Sequence, residues 1–211
     1  MNTLTLINLK NIYTNFFFFF HLISFVFSFE RLLLGDFLNW KQIDNSNNIV
    51  ISTAKLEGSS FCKAVKFYDY PPDEVKYILD DKHNYVNIFE RINSIKVLSK
   101  DAVHIKLKLP FPFDGRDYIV NYNYKKIKNF EYYKYEATKD FNLPVEKGYV
   151  RLVNAYGIWK IERIGQSKTK LTHIWNGELR GNFPQIALTY AWIAQGTELL
   201  ESIEKALSKQ K

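Results

Sequence analysis

Few residues in this chain are of the kinds that do chemistry. The four histidines, His21, His83, His104 and His173, lie far apart, and Cys62 is the only cysteine. A protein-bound metal needs three or four His, Cys or carboxylate ligands at short, regular spacing, and that spacing is absent. One thiol closes no internal disulfide, so the cysteine count leaves the redox compartment open, and Cys62 reads as an inert strand thiol. There is no Gly-rich phosphate loop and no Gly-x-Ser-x-Gly nucleophile elbow. No nucleophile, base and orienting group recur together. The pattern predicts no metal, no cofactor and no catalysis.

His173 is the exception that needs a position. It lies in the run Thr169 to Leu179, which alternates with the period of a strand. Leu171, His173, Trp175, Gly177 and Leu179 share one face; Lys170, Thr172, Asn176 and Glu178 share the other. Charges belong outside, so His173 and Trp175 face inward. Three roles are open for an inward imidazole: a core group bonded to a nearby tyrosine, a polar contact for a ligand, or a general base. Tyr118, Tyr122, Tyr133 and Tyr135 carry the same ambiguity on two neighbouring strands, because a buried tyrosine fills space and needs a partner for its hydroxyl. Trp159 belongs to the same set. Arg116 and Asp117 read as a charged pair tying down the Pro-rich loop before them.

These residues need elements to position them. Ile49 to Thr53 and Phe61 to Phe67 read as short strands around a Gly58-Ser59-Ser60 turn. Tyr70-Pro71-Pro72-Asp73-Glu74 opens a helix whose first turn carries acids, as the helix dipole favours. Val103, Ile105, Leu107 and Leu109 alternate with His104, Lys106 and Lys108, the mark of a half-buried strand. Arg116 to Tyr124 and Phe130 to Thr138 follow as strands. Gly148 to Ile164 reads as one long strand bent near Gly157. Short turns between alternating strands favour an antiparallel meander over βαβ crossovers.

After Gly181-Asn182-Phe183-Pro184 comes a long helix, with Pro184 suited to its first turn. Its apolar face reads as Ile186, Tyr190, Ile193, Thr197, Leu200, Ile203 and Leu207, at spacings of three and four. Gly196 reads as a weak point, costing about 1 kcal/mol relative to Ala. A curled sheet needs a cover, and this helix supplies one.

Composition bounds the rest. The chain has 211 residues, 17% of them aromatic, with 17 Phe and 14 Tyr. That suits strands and apolar pockets in a single domain. The formal charge of +7 is spread out, and Lys125-Lys126-Ile127-Lys128 reads as a solvated turn. Nucleic acid is therefore not expected, while a weak attraction to anionic membranes is. Residues 1–28 read as an export signal: Lys10 precedes a 14-residue apolar run from Phe16 to Phe29, and Val26-Phe27-Ser28 offers a cleavage site. The run is short for a membrane span. The alternatives are an uncleaved anchor, or a start codon placed too early on a cytoplasmic protein. Residues 29–211 form the domain, and Glu30 to Lys41 reads as a short amphipathic helix.

Three stretches, in this order, resemble the START domains, the lipid-transfer modules related to steroidogenic acute regulatory protein, within the helix-grip fold of birch-pollen-allergen-like proteins. Pro112-Phe113-Asp114-Gly115-Arg116-Asp117-Tyr118 resembles the family's Arg-Asp-aromatic signature. Glu146-Lys147-Gly148-Tyr149-Val150-Arg151 with Gly157-Ile158-Trp159 resembles its Lys-Gly-x-Val-Arg strand. Thr169-Lys170-Leu171-Thr172 through Gly181-Asn182-Phe183-Pro184 resembles its last strand and the entry to the lid helix. The likeness covers Asn39 to Leu207, and Asn39-Trp40 is similar to the start of exported bacterial proteins of this type.

The resemblance implies an α+β helix-grip fold, with a curved antiparallel sheet around a long C-terminal helix and a ligand cavity between them. It implies a monomer that binds one lipid or apolar small molecule, touches membranes transiently, and is not an enzyme. The expected lining is Tyr118, Tyr122, Tyr133, Tyr135, Trp159, His173, Trp175, Ile186, Tyr190 and Ile193. Two alternatives share the fold: a polyketide cyclase or aromatase using His173 or a tyrosine as acid-base, and a quinone-binding chaperone. One departure stands out. Several sterol-binding members bury an arginine six residues after the signature arginine, paired with an acid on the preceding strand. Here that position is Tyr122, and Ala102 to Leu109 holds no acid. This implies a more apolar pocket with hydroxyl contacts.

Overall fold

The computed structural model describes residues 38–176, 179–180 and 183–210, apart from the side chain of Gln185. The chain divides into two units, Met1–Asn39 and Trp40–Lys211, and the second carries the fold. The export signal and most of the helix expected over Glu30 to Lys41 lie outside the described residues. Lys41 itself opens a strand. Among the described residues no helix is long and apolar enough to cross a membrane.

The chain begins with three strands, β1 (Lys41–Ser46), β2 (Ile49–Leu56) and β3 (Ser59–Tyr68). Asn47 and Asn48 turn the first hairpin at φ 52° and 58°, and Glu57 and Gly58 turn the second at 49° and 79°. Two-residue hairpins demand that left-handed backbone, and Asn and Gly adopt it most readily. So the polar stretch Asn45 to Asn48 is the tip of a hairpin whose first strand, β1, is polar and mostly exposed. Two short helices follow, α1 (Pro72–Asp80) and α2 (Tyr85–Ile88). As the sequence implies, Asp73 and Glu74 lie in the first turn of α1 and Val75, Ile78 and Leu79 are buried.

The remaining strands are β4 (Ile92–Val97), β5 (Ala102–Leu107), β6 (Gly115–Ile127), β7 (Phe130–Ala137), β8 (Tyr149–Arg151), β9 (Tyr156–Gly165) and β10 (Lys168–Asn176), and the chain closes with α3 (Leu188–Ser208). All ten strands form one open sheet in the order β1-β2-β3-β10-β9-β7-β6-β5-β4, with β8 beside β6. β10 pairs antiparallel with both β3 and β9, which joins the two ends of the chain at mid-sheet.

Gly148 to Ile164 is not one bent strand. It is β8, paired parallel with the start of β6, and then β9, paired antiparallel with β7. A backbone crossing from β6 to β7 cannot stay in one register with both. Nor is the outer face of β5 open to water. His104 is buried on that side, against Asp117.

The core lies between the inner face of the sheet and the helices. Ile51, Cys62, Ala64, Leu171 and Trp175 meet Val75, Ile78 and Leu79 of α1 and Leu200, Ile203 and Leu207 of α3. Tyr68 donates its hydroxyl to the carbonyl of Leu200 at 2.7 Å, fixing α3 to β3. A 3-10 turn over Gln185–Ala187 precedes α3, so Pro184 stands outside the helix proper.

The buried face of α3 is Trp192, Gly196, Leu200, Ile203 and Leu207. The first half of the expected face is therefore rotated away. Ile186 is 89% exposed and Tyr190 76% exposed. The line of four, four, three and four residues that begins at Trp192 buries the larger ring. Gly196 is also more than a weak point. A Cβ there would meet Ile51 Cδ1 at 2.6 Å, Ala64 Cβ at 3.2 Å and Trp175 Cη2 at 3.2 Å. Only glycine lets the helix approach the sheet so closely.

Candidate functional site: a two-chamber cavity under the last helix

Beneath α3 the concave face of the sheet leaves two adjoining chambers that share lining residues. The outer one has a volume of about 310 Å³ and lies under the first half of α3. Ala187, Ala191 and Ala194 roof it, Leu107 and Trp175 line its sheet side, and Pro110, Phe113 and Phe183 stand at its mouth. The Phe113 and Phe183 rings meet there at 4.9 Å. The inner one, of about 80 Å³, lies against Tyr85, Phe89, Ile105, Tyr122, Trp159 and His173. Arg91, Leu107, Tyr118, Tyr135 and Gln195 border both.

Period two on β10 places His173 and Trp175 on the inner face, and β9 adds Trp159 opposite His173. The imidazole lies between the two indoles, 3.7 Å from the Trp159 ring at 9° and 4.7 Å from the Trp175 ring at 18°. Its Nε2 lies 3.0 Å from the Tyr135 hydroxyl. Its Nδ1 is buried without a hydrogen-bond partner among the described residues. Burial in this aromatic sandwich drives the His173 pKa down to about 3, so the ring is neutral. Gly157 makes room for this contact, because a Cβ there would collide with the Tyr135 hydroxyl. Burial also raises the phenols of Tyr118, Tyr122 and Tyr135, which stay protonated.

One ion pair borders the chambers. Arg91, just before β4, grips Glu198 of α3 with two donors, one of them Nη2 to Oε1 at 2.6 Å. The hydrogen bond to Glu198 holds the Arg91 pKa above its ordinary value. Arg116 also borders the outer chamber, and its guanidinium is spent on backbone carbonyls: Asp114 and Gly115 of its own loop, and Leu179 and Arg180 before the last helix. Arg116 and Asp117 do not pair as expected, since neighbours on a strand point to opposite faces. Arg116 turns inward to fasten the segment before α3. Asp117 turns outward to His104 at 3.0 Å and to Arg151, whose Nη2 donates to the Leu143 carbonyl, fastening the long loop after β7.

Of the ten expected lining residues, Tyr122, Trp159 and His173 reach the inner chamber. Tyr118 and Tyr135 border both, and Trp175 and Tyr190 line the outer one. Tyr133, Ile186 and Ile193 line neither. Tyr133 shares the inner face, but its hydroxyl donates to Asp80 of α1 at 2.5 Å. Ile186 faces away, and Ile193 packs against the core. Sequence reasoning missed Arg91, Gln195, Glu198 and Ser202. The signal available was a second stripe on α3, Ala187, Ala191, Ala194, Glu198 and Ser202, small or polar at helical spacing beside the apolar one.

No family model matches the chain. An uncharacterised protein of Pseudomonas aeruginosa is 20% identical over 162 residues, 74% of this chain and 77% of that protein. Among solved structures, human StAR-related lipid transfer protein 5 superposes with a TM-score of 0.74 at 15% identity, over 86% of this chain and 93% of that one. A STAR-related lipid transfer protein from Xanthomonas axonopodis gives 0.70 at 18%, over 80% and 98%. An aromatase/cyclase from Streptomyces gives 0.51 at 14%, over 71% and 94%. At such identities the likeness speaks to architecture alone. Sheet, helix and cavity agree with it: this chain has the START-domain fold.

Proposed function

We propose that this protein binds one apolar small molecule, a lipid or lipid-like compound, in the two-chamber cavity and exchanges it at a membrane surface. The observation that carries this reading is the outer chamber and its mouth. The chamber is large enough for a small ligand and lined by aromatic and aliphatic side chains. Phe111, 97% exposed, follows the lining residue Pro110, the exposed Ile186 precedes the lining residue Ala187, and the exposed Tyr190 lines the chamber itself. Exposed apolar side chains beside an apolar cavity suit contact with a lipid surface. In this reading the protein works as an exported monomer, and nucleic acid plays no part; Lys126 lies not in a turn but near the end of β6, where it is paired with Glu131 at 2.8 Å.

The Tyr135–His173 contact favours a second reading, an aromatase/cyclase-like enzyme with that pair as acid and base. The chemistry weighs against it. A general base works best with a pKa near the operating pH, and burial holds His173 near 3. Tyr135 is pushed the other way, so neither group ionises at neutral pH.

Native mass spectrometry of the purified protein tests the binding reading. The expected result is a species carrying one co-purified apolar molecule, or one that takes up a molecule from lipid vesicles. A protein that stays empty after exposure to vesicles contradicts it. Flotation with vesicles tests the membrane contact: Phe111→Asp with Ile186→Asp should abolish it and leave the melting temperature unchanged.

A further inference from the structure

The inner chamber has a composition of its own. Tyr118 and Tyr122 line it, and neither hydroxyl makes a hydrogen bond to a described residue. Tyr135 is the third phenol at its border, set by His173. Two tautomers of His173 satisfy that contact. With the proton on Nδ1, a fully buried N–H is left without an acceptor, the costlier kind of orphan. With the proton on Nε2, the imidazole donates to the Tyr135 oxygen and only a lone pair is left over. The phenol proton of Tyr135 is then free to point into the cavity. All three tyrosines can donate in that arrangement, and the acceptors that line the same chamber, Gln195, Glu198 and Ser202, belong to α3 and take no hydrogen bond from them.

No free charge accompanies them. Arg91 is held by Glu198, and Arg116 by four backbone carbonyls. His173 is neutral. Lys82 lies 4.8 Å over the Tyr122 ring but lines neither chamber, while the exposed Glu90 at the rim repels anions. A carboxylate or phosphate entering here would have to take Arg91 from Glu198. An alcohol would bring one more donor to a place already rich in them. A carbonyl oxygen offers two lone pairs to two or three donors and brings no proton. The volume of about 80 Å³ admits such a group and no bulky headgroup.

Resting on the apolar-ligand reading above, we infer that the inner chamber is a subsite for the carbonyl oxygen of an uncharged ligand, with Tyr118, Tyr122 and Tyr135 as donors and His173 as the positioning residue for Tyr135. The apolar remainder of the ligand occupies the outer chamber.

Three probes of one shape test this: 2-acetylnaphthalene, its hydrocarbon analogue 2-isopropenylnaphthalene, and 2-naphthoate. Affinities are measured by calorimetry on the full domain. The ketone should bind about tenfold tighter than the hydrocarbon, the worth of one net hydrogen bond. Its carbonyl stretch should move to lower frequency on binding, and nitrogen NMR should find the His173 proton on Nε2. Tyr118→Phe, Tyr122→Phe and Tyr135→Phe together should erase the ketone's advantage over the hydrocarbon. The infrared and probe measurements on the unmodified protein stand even if that variant folds poorly. Equal affinity for ketone and hydrocarbon overturns the subsite but leaves the apolar-ligand reading intact. Tightest binding of naphthoate overturns the uncharged class. Binding of none of the three overturns both readings.

Discussion

The two halves of α3 lie on the same sheet and do different things. From Gly196 onward Leu200, Ile203 and Leu207, each with no exposed surface, fill the core, while Glu198 and Ser202 on the flank of this half border the inner chamber. Before Gly196, Ala191 and Ala194, with Ala187 just ahead of α3, line the outer chamber beside the buried Trp192. Only Trp192 is buried there. Side-chain size along one helix therefore decides where the molecule is solid and where it is hollow. Leu188 and Ile193 of the hollow half are only partly buried against the core, and segments with fewer fully buried side chains open at lower cost.

The largest expected effect is in the solid half. Leu200→Asp puts an unpaired carboxylate among Ile51, Trp175 and their neighbours, at a cost of several kcal/mol against a typical total of about 5–15. Circular dichroism should show no cooperative melt at neutral pH. Tyr190→Asp in the hollow half, where the side chain is exposed, should shift the melting temperature by only a few degrees. Equal damage from the two would erase the distinction.

Acid should act through the cavity wall. Unfolded, His173 takes up its proton near its ordinary value of 6.5; folded, only near about 3. Between these the unfolded chain binds the extra proton. The contribution of His173 is thus full above about pH 6.5 and falls away as pH drops toward about 3, by up to about 1.4 kcal/mol per unit. His173→Gln removes this slope. Melting curves from pH 7 to pH 4 should diverge, the unmodified protein losing stability faster. Parallel curves would mean that the imidazole titrates normally.

Gly196→Ala tests the junction between the halves. The gain of about 1 kcal/mol in helix propensity is opposed by the clash with Ala64 Cβ, which cannot move aside. A net loss of about 1–2 kcal/mol is expected, read as a lower melting temperature; a rise would show that the helix has slack to retreat. The smallest change in stability belongs to Ala191→Leu. It fills the outer chamber, so the fold should hold while uptake of 2-acetylnaphthalene is lost. Undiminished uptake would place the ligand elsewhere.

The sequence made one half of this helix more legible than the other. Leu200, Ile203 and Leu207 are large and periodic, and they are buried as expected. Upstream, Ile186 and Tyr190 compete with Trp192 for the same role, and hydropathy alone does not say which side turns inward. On strands the period of two is unambiguous, which is why His173, Trp175, Tyr118 and Tyr122 could be placed. The same rule separates Arg116 from Asp117, against the expectation of a pair. β1 was missed because an edge strand as polar as Lys41–Ser46 has no apolar alternation to reveal it. Arg91 and Glu198 meet across 107 residues, a pairing that no local pattern encodes.

Hydrogen exchange along α3 tests most directly whether one half of it covers a cavity that a ligand fills. Amides from Leu188 to Gln195 should exchange far faster than those from Thr197 to Leu207. Adding 2-acetylnaphthalene should slow the first set and leave the second unchanged. Uniform exchange along the helix, or protection confined to its second half, would contradict the division of α3 and the ligand site beneath it.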